Sequence, residues 1–230
     1  MKNLPKNRNC TGCAVCVDTC KHNALDIHIG ANGFYVRTEN KNKCINCGMC
    51  EKVCPVVNSK LTKNKIGTPY IAVNSDVEQL MESSSGGVAS AVSSAVLRDN
   101  GIVIGVSFEN NIIPKHVIID KIEDINLIQG SKYLQSNCKG IYRQVAKFLK
   151  LDKKVLFTGT PCQIAALYTY LSTFKIDVTN LSTLEVICHG VPSFNLIELL
   201  QSAYPNKIKK ILSKDFLFIF TNRSVFKHQF

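Results

Sequence analysis

At 230 residues, with 45% hydrophobic and 20% charged residues, the chain has the composition of a globular protein and room for one large domain or two smaller ones. No apolar run reaches the roughly 18–20 residues of a membrane-spanning helix, and the opening Met-Lys-Asn-Leu-Pro-Lys leads into no apolar segment, so no signal peptide is read. The net charge is +11: residues 1–65 hold eleven Lys/Arg against four Asp/Glu and residues 66–230 seventeen against thirteen, with no zinc-finger, helix-turn-helix or aromatic RNA-binding pattern, which argues against a nucleic-acid partner.

In chain order, the first pattern is Cys10-x2-Cys13-x2-Cys16-x3-Cys20, and it returns 34 residues later as Cys44-x2-Cys47-x2-Cys50-x3-Cys54-Pro55. The spacing is that of a bacterial-type ferredoxin with two 4Fe–4S clusters. Three closely spaced thiolates can wrap one corner of a cubane. The fourth, three residues on, is expected on a helix and pointing to the other cluster. The ligand sets read from this rule are Cys10, Cys13, Cys16 and Cys54 for one cluster, and Cys44, Cys47, Cys50 and Cys20 for the other. Structural zinc also uses C-x2-C pairs, but it has no use for a third cysteine at the same interval. Cluster cysteines imply a reducing compartment, so the expected location is the cytoplasm. Each oxidised cubane with four thiolates carries roughly −2, leaving a moderately basic module suited to an acidic redox partner or an anionic cofactor tail.

Between the motifs, Ala24–Ile29 and Phe34–Arg37 flank a Gly30–Gly33 turn and read as a hairpin. The N-terminal domain is placed at residues 1–58, with repeats at about 1–31 and 35–64, and residues 59–68 as a polar, basic linker. Beyond it strands and helices alternate. Strands are predicted at Tyr70–Val73, Ile102–Phe108, Lys115–Asp120, Lys153–Phe157 and Thr183–Cys188. Helices are predicted at Val88–Asp99 with an Asn100-Gly101 cap, at Cys138–Lys150, at Cys162–Leu171 and from Pro192 to about Tyr204. The fold class is an α+β ferredoxin-like N-terminal domain followed by an α/β domain over residues 69–230. Phe216–Phe220 is a strongly apolar run close to the end, and an incomplete C-terminus is expected.

Three loops of the second domain carry candidate chemistry. Glu82–Gly87 puts hydroxyls and glycine amides ahead of a helix, a cradle for phosphate that is also an ordinary serine–glycine cap. Gly159-Thr160-Pro161-Cys162-Gln163 lies at a strand-to-helix junction, where open α/β sheets bind ligands. Cys188-His189-Gly190-Val191-Pro192 follows the next strand. Cys138 reads as a structural thiol, and His189 as a hydrogen-bonded loop residue.

With Ser84-Ser85-Gly86-Gly87, Gly130-Ser131-Lys132-Tyr133-Leu134-Gln135-Ser136 and the two cysteine loops above, residues 69–195 resemble the family of coenzyme F420 hydrogenase/dehydrogenase beta subunits. The resemblance implies an iron–sulfur flavoprotein oxidoreductase. Electrons would pass between the two 4Fe–4S clusters and FAD, then to or from a small organic acceptor such as coenzyme F420. It further implies that Ser84, Ser85, Gly86 and Gly87 line the flavin site. Lys132 would place a positive charge at the flavin phosphates or ring, and Thr160 and Cys162 would lie close to the cofactor. Family members often hold another cluster on cysteines like Cys162 and Cys188 with others downstream, whereas no cysteine follows Cys188 here. After Pro192 the resemblance is expected to fade. The implied partner is a redox protein or another low-potential electron donor. The alternative reading is a pure ferredoxin-type electron-transfer protein whose second domain is non-catalytic or truncated.

Overall fold

The computed structural model describes residues 4–58, 68–110 and 112–203. The sequence repeat is also a backbone repeat. Two and four residues after the first cysteine, each motif turns left-handed: Gly12 (φ +64) and Ala14 (φ +65) in one, Asn46 (φ +58) and Gly48 (φ +73) in the other. Glycine and asparagine enter this region readily; Ala14 does so at a cost of roughly 1–2 kcal/mol. Each loop then runs into one short helix, α1 (Val15–Thr19) or α2 (Met49–Lys52). Cys20 and Cys54 follow these helices instead of riding on them as expected. The predicted hairpin forms as β1 (Leu25–Ile29) and β2 (Tyr35–Glu39), antiparallel with Ile27 opposite Arg37.

The second half is mixed α/β. Its elements are α3 (Val77–Met81), α4 (Val88–Arg98), β3 (Ile102–Glu109), β4 (Ile113–Ile119), α5 (Ile141–Lys150), β5 (Val155–Gly159), α6 (Pro161–Thr173), β6 (Leu181–Glu185) and α7 (Phe194–Ala203). The sheet order is β4–β3–β5–β6, with β4 antiparallel to β3 and the other pairs parallel. Strand alternation splits the core in two. Ile102, Ile104, Val155 and Phe157 join α5 and α6, whereas Val103 and Leu156 join Leu97 of α4. Tyr70–Val73, predicted as a strand, is not one: Tyr70 is 86% and Ile71 102% exposed, and no strand pairs with them. Its β-branched and aromatic residues fit a strand locally, but pairing is a property of the neighbour. Helix α5 begins at Ile141 instead of Cys138, because Gly140 is left-handed (φ +89). Strand β6 ends at Glu185, three residues early, and Ile187 stands in solvent. Most of the expected linker and the Phe216–Phe220 run lie outside the described residues, among which no helix is long and apolar enough to cross a membrane.

The cysteine-bearing half and the sheet share one core. Cys13, Val15 and Val53 are buried in the same cluster as Tyr142, Val145, Leu167 and Leu171. Polar contacts lock this seam. Asp18 accepts from Gly140 N at 2.6 Å and Tyr142 N at 3.0 Å, satisfying the free amides at the start of α5 from another helix. Thr169 Oγ1 donates to the Val53 carbonyl at 2.6 Å. At the other end Phe194 meets Tyr35 edge-on at 5.6 Å, and its amide donates to the Gly33 carbonyl at 2.9 Å, docking α7 on the hairpin turn.

Candidate functional site

The eight motif cysteines line two cavities. The first collects Cys10, Cys13, Cys16 and Cys54, with Arg37 at its wall. The second collects Cys20, Cys44, Cys47 and Cys50, with His22 and Ile45. Each therefore gathers three cysteines of one motif and the last cysteine of the other. Among the described residues no three His, Cys, Asp or Glu side chains converge as a single metal ion requires. Four cysteines spread around a cavity suit a polynuclear cluster.

The surroundings of the sulfurs fit that group. Backbone amides aim at three of them: Gly12 N at Cys10 Sγ (3.5 Å), Ala24 N at Cys20 Sγ (3.3 Å) and Asn46 N at Cys44 Sγ (3.4 Å). The first and third are equivalent in the repeat. Burial pushes the Cys13 thiol up to about 12 and raises Cys16, with Arg37 pulling the latter back in part. As thiolates these sulfurs need a compensating positive charge in contact, which iron supplies.

The loop of residues 130–136 ties together the places singled out in the second half. Ser131 N donates to Ser84 Oγ at 2.8 Å. Ser136 Oγ accepts from Gln163 Nε2 at 2.9 Å, while Gln163 Oε1 accepts from Thr160 N at 3.0 Å. Gln135 donates to the Thr11 carbonyl at 2.9 Å and accepts from Tyr35 N at 2.7 Å, pinning the first cysteine loop to β2. Lys132 Nζ donates to the carbonyls of Gln129 (2.6 Å) and Gly130 (3.1 Å) and lies 5.9 Å from the Phe108 ring centre. Gly86 and Gly87 sit at the start of α4 beside Ala72 and Asn74: Asn74 N donates to the Gly86 carbonyl at 2.7 Å, and a Cβ on Gly86 would meet the Ala72 carbonyl oxygen at 2.6 Å. Ser85 is exposed.

Cys162 is half-buried, with Sγ 3.3 Å from Thr160 Oγ1. Burial raises its pKa, and Cys188 adds to the effect. Cys162 in turn helps to raise Cys13, which packs in one core with Ile164 and Ala166 of α6, the helix that Thr160 caps. Behind both lies a neutral buried pair. His116 Nε2 lies 3.2 Å from the Thr158 carbonyl, which can only accept, so Nε2 carries the proton and Nδ1 accepts from Cys138 Sγ at 3.0 Å. Burial drives His116 down to about 4 and raises Cys138 well above its ordinary value. Next to this pair, Tyr142 Oη donates to the Cys13 carbonyl at 2.8 Å. Missed as site residues were thus Asp18, Tyr142, and Gln135 and Gln163, the last two quoted within motifs but given no role. Of these only Gln163 carried a local signal, three residues after the helix-capping Thr160.

Two family descriptions match the chain. Residues 9–58 match the 4Fe-4S dicluster domain. Residues 152–229 match the C-terminal region of the coenzyme F420 hydrogenase/dehydrogenase beta subunit, so the likeness runs well past Pro192, where the sequence motifs led us to expect it to fade. Among curated proteins, one of the subunits of the F(420)H(2) dehydrogenase of Methanosarcina mazei is 24% identical over 166 residues, 68% of this chain and 47% of that one. An uncharacterized protein of Methanocaldococcus jannaschii is 24% identical over 200 residues, 71% of this chain and 53% of that one. The chain thus spans about half the length of these relatives. One component of the F420-reducing NiFe hydrogenase complex of Methanosarcina barkeri matches with a TM-score of 0.48 and 21% identity, covering 64% of this chain and 56% of that one. The chain thus carries a 4Fe-4S dicluster domain at its N-terminal end and, from residue 152, a region similar to the C-terminal part of coenzyme F420 hydrogenase/dehydrogenase beta subunits.

Proposed function

We propose that the protein is an oxidoreductase in which two 4Fe–4S clusters and FAD pass electrons to or from an organic acceptor such as coenzyme F420. The observation that carries this reading is the first cysteine cavity: through Cys13 it is built into the core of the α/β half, against α6, the helix that Thr160 caps. In it Cys10, Cys13, Cys16 and Cys54 hold one cluster, and Cys20, Cys44, Cys47 and Cys50 hold the other. When bound, the flavin supplies the exchange between one-electron and two-electron chemistry. The chain's own residues position and insulate. Gln135 and Tyr142 fix the Thr11 and Cys13 carbonyls, and therefore the ligand loop, against the second half. Ser84, Ser85, Gly86, Gly87, Lys132, Thr160 and Cys162 offer hydroxyls, amides and one cation to a phosphate-bearing cofactor.

A second reading is favoured by one specific arrangement. The Gly86–Gly87 backbone is covered by residues 72–74, and the Lys132 ammonium binds carbonyls of its own loop. On this reading the chain is a ferredoxin-type carrier and the α/β half a scaffold. Purification without oxygen, followed by assay of iron, sulfide and flavin, separates the two. The oxidoreductase reading expects about eight iron atoms and one flavin per chain. About eight iron atoms with no flavin selects the carrier, and a chain that takes up no cluster iron overturns both.

A further inference from the structure

The surface around the second cavity is unlike the rest of the cysteine half. Cys47 is exposed, and Ile45, which lines the cavity, is 61% exposed. Four lysines lie within three residues of the cysteines that line it. Lys21 lies between Cys20 and His22, which both line the cavity. Lys41 and Lys43 belong to the turn that delivers Cys44, whose amide donates to the Lys41 carbonyl at 3.2 Å. Lys52 ends α2, the helix that carries Cys50. All four are exposed, and among the described residues none forms an ion pair. Three of the four carboxylates of this half are engaged elsewhere, and Glu51 is the one whose charge acts on a lining cysteine, Cys50. Asp18 is buried against α5, Asp26 pairs with Lys139 at 2.7 Å, Glu39 pairs with Arg37 at 2.9 Å, and Glu51 is half-buried.

We propose that this face, with exposed Lys21, Lys41, Lys43 and Lys52 on the segments that carry Cys20, Cys44, Cys47 and Cys50, is the docking surface for an acidic one-electron carrier protein. The inference rests on the cluster ligation proposed above. An exposed cluster edge with one exposed apolar side chain, Ile45, and several like charges on the adjoining segments is the arrangement a brief redox encounter needs. The charges steer a partner of opposite sign without burying large area. The first cavity is less suited, because Cys13 is buried in the core that α5 and α6 form. In the encounter one electron leaves the carrier, which is oxidised, and enters the protein at its second cluster, which is reduced; no bond or proton changes place.

The test uses the full chain loaded with its clusters, mixed in a stopped-flow cell with a reduced, acidic two-cluster ferredoxin. The comparison is between the native chain and Lys21→Glu/Lys41→Glu/Lys43→Glu/Lys52→Glu. At low ionic strength the variant is expected to react about 10–100-fold more slowly, and the native rate to fall steeply with added salt. Reduction by a zwitterionic viologen of no net charge should be equal in the two proteins. The double variants Lys21→Glu/Lys52→Glu and Lys41→Glu/Lys43→Glu, each slower by a smaller factor, keep the test open if the quadruple variant does not fold. Equal ferredoxin rates overturn the proposal. So does an equal loss with the neutral viologen, which would mean that the lysines act only on the cluster. Lysine-dependent capture of single-stranded DNA without a ferredoxin effect overturns it too, in favour of a nucleic-acid surface. If the native chain holds about eight iron atoms and the ferredoxin rates do not differ, docking fails while the cluster reading stands; a native chain without cluster iron removes both.

Discussion

The two cysteine motifs are near copies in spacing and in backbone, down to left-handed residues at equivalent positions, yet their surroundings are opposite. The first loop is sunk into the seam with the α/β half: Cys13 is buried, Val15 is in the common core, and Gln135 and Tyr142 hold its carbonyls. The second loop points away from the sheet, with Cys47 and Ile45 in solvent. A duplicated ligand pattern therefore yields one inward and one outward redox position. The difference comes from which residues flank the cysteines, not from the cysteines. Asp18 of α1 caps α5, whereas its repeat counterpart Lys52 of α2 is a surface lysine.

The largest expected effect tests whether the two positions really exchange ligands. Cys20→Ala should lower iron from about eight to about four atoms per chain and remove the outward cluster. Paramagnetic resonance of the reduced protein should then show one cluster without the coupling between two. Loss of the inward cluster instead would break the pairing read from the cavities.

The seam provides the next contrast. Asp18→Ala leaves the Gly140 and Tyr142 amides without an acceptor in a buried place and should lower stability by about 2–4 kcal/mol in anaerobic denaturant titration. Ile45→Ala, at the outward position, should stay within about 0.5 kcal/mol of native. Equal effects of the two substitutions would erase the inward–outward distinction.

The buried His116 gives the inward side a pH signature. Its pKa is depressed to about 4 by burial, so the folded protein holds it neutral while the unfolded chain binds a proton below its ordinary value of about 6.5. Its contribution is fully present above that ordinary value and is lost as pH falls toward about 4, by about 3 kcal/mol. The slope should flatten in His116→Gln; an unchanged slope would assign it to other groups. The smallest effect is expected for Gln135→Leu, about 1–2 kcal/mol through the stranded Thr11 carbonyl and Tyr35 amide. Air should then bleach the inward cluster faster and leave the outward one at its native rate.

Much of this was legible in sequence where the physics is local. The hairpin, α4 with its left-handed Asn100 (φ +55), and β3 through β6 all announce themselves through side-chain period and turn residues. Tyr70–Val73 failed because a strand needs an unpaired neighbour edge, which no window of sequence reports. Asp18 and Gln135 were missed because each works on atoms more than a hundred residues away, Gly140 and Tyr142 for one and Thr11 for the other.

The sequence by itself determined the cysteine spacing, the repeat and the crossed ligand sets it implies, and hence two sites of one chemistry. Ligand geometry is set by neighbours three or four residues apart. Only the tertiary structure decided which site turns inward and which faces solvent, and that residues 130–136 gather the scattered loops of the second half. Those outcomes depend on which surfaces the folded chain buries against each other, and burial is a property of the whole packed molecule.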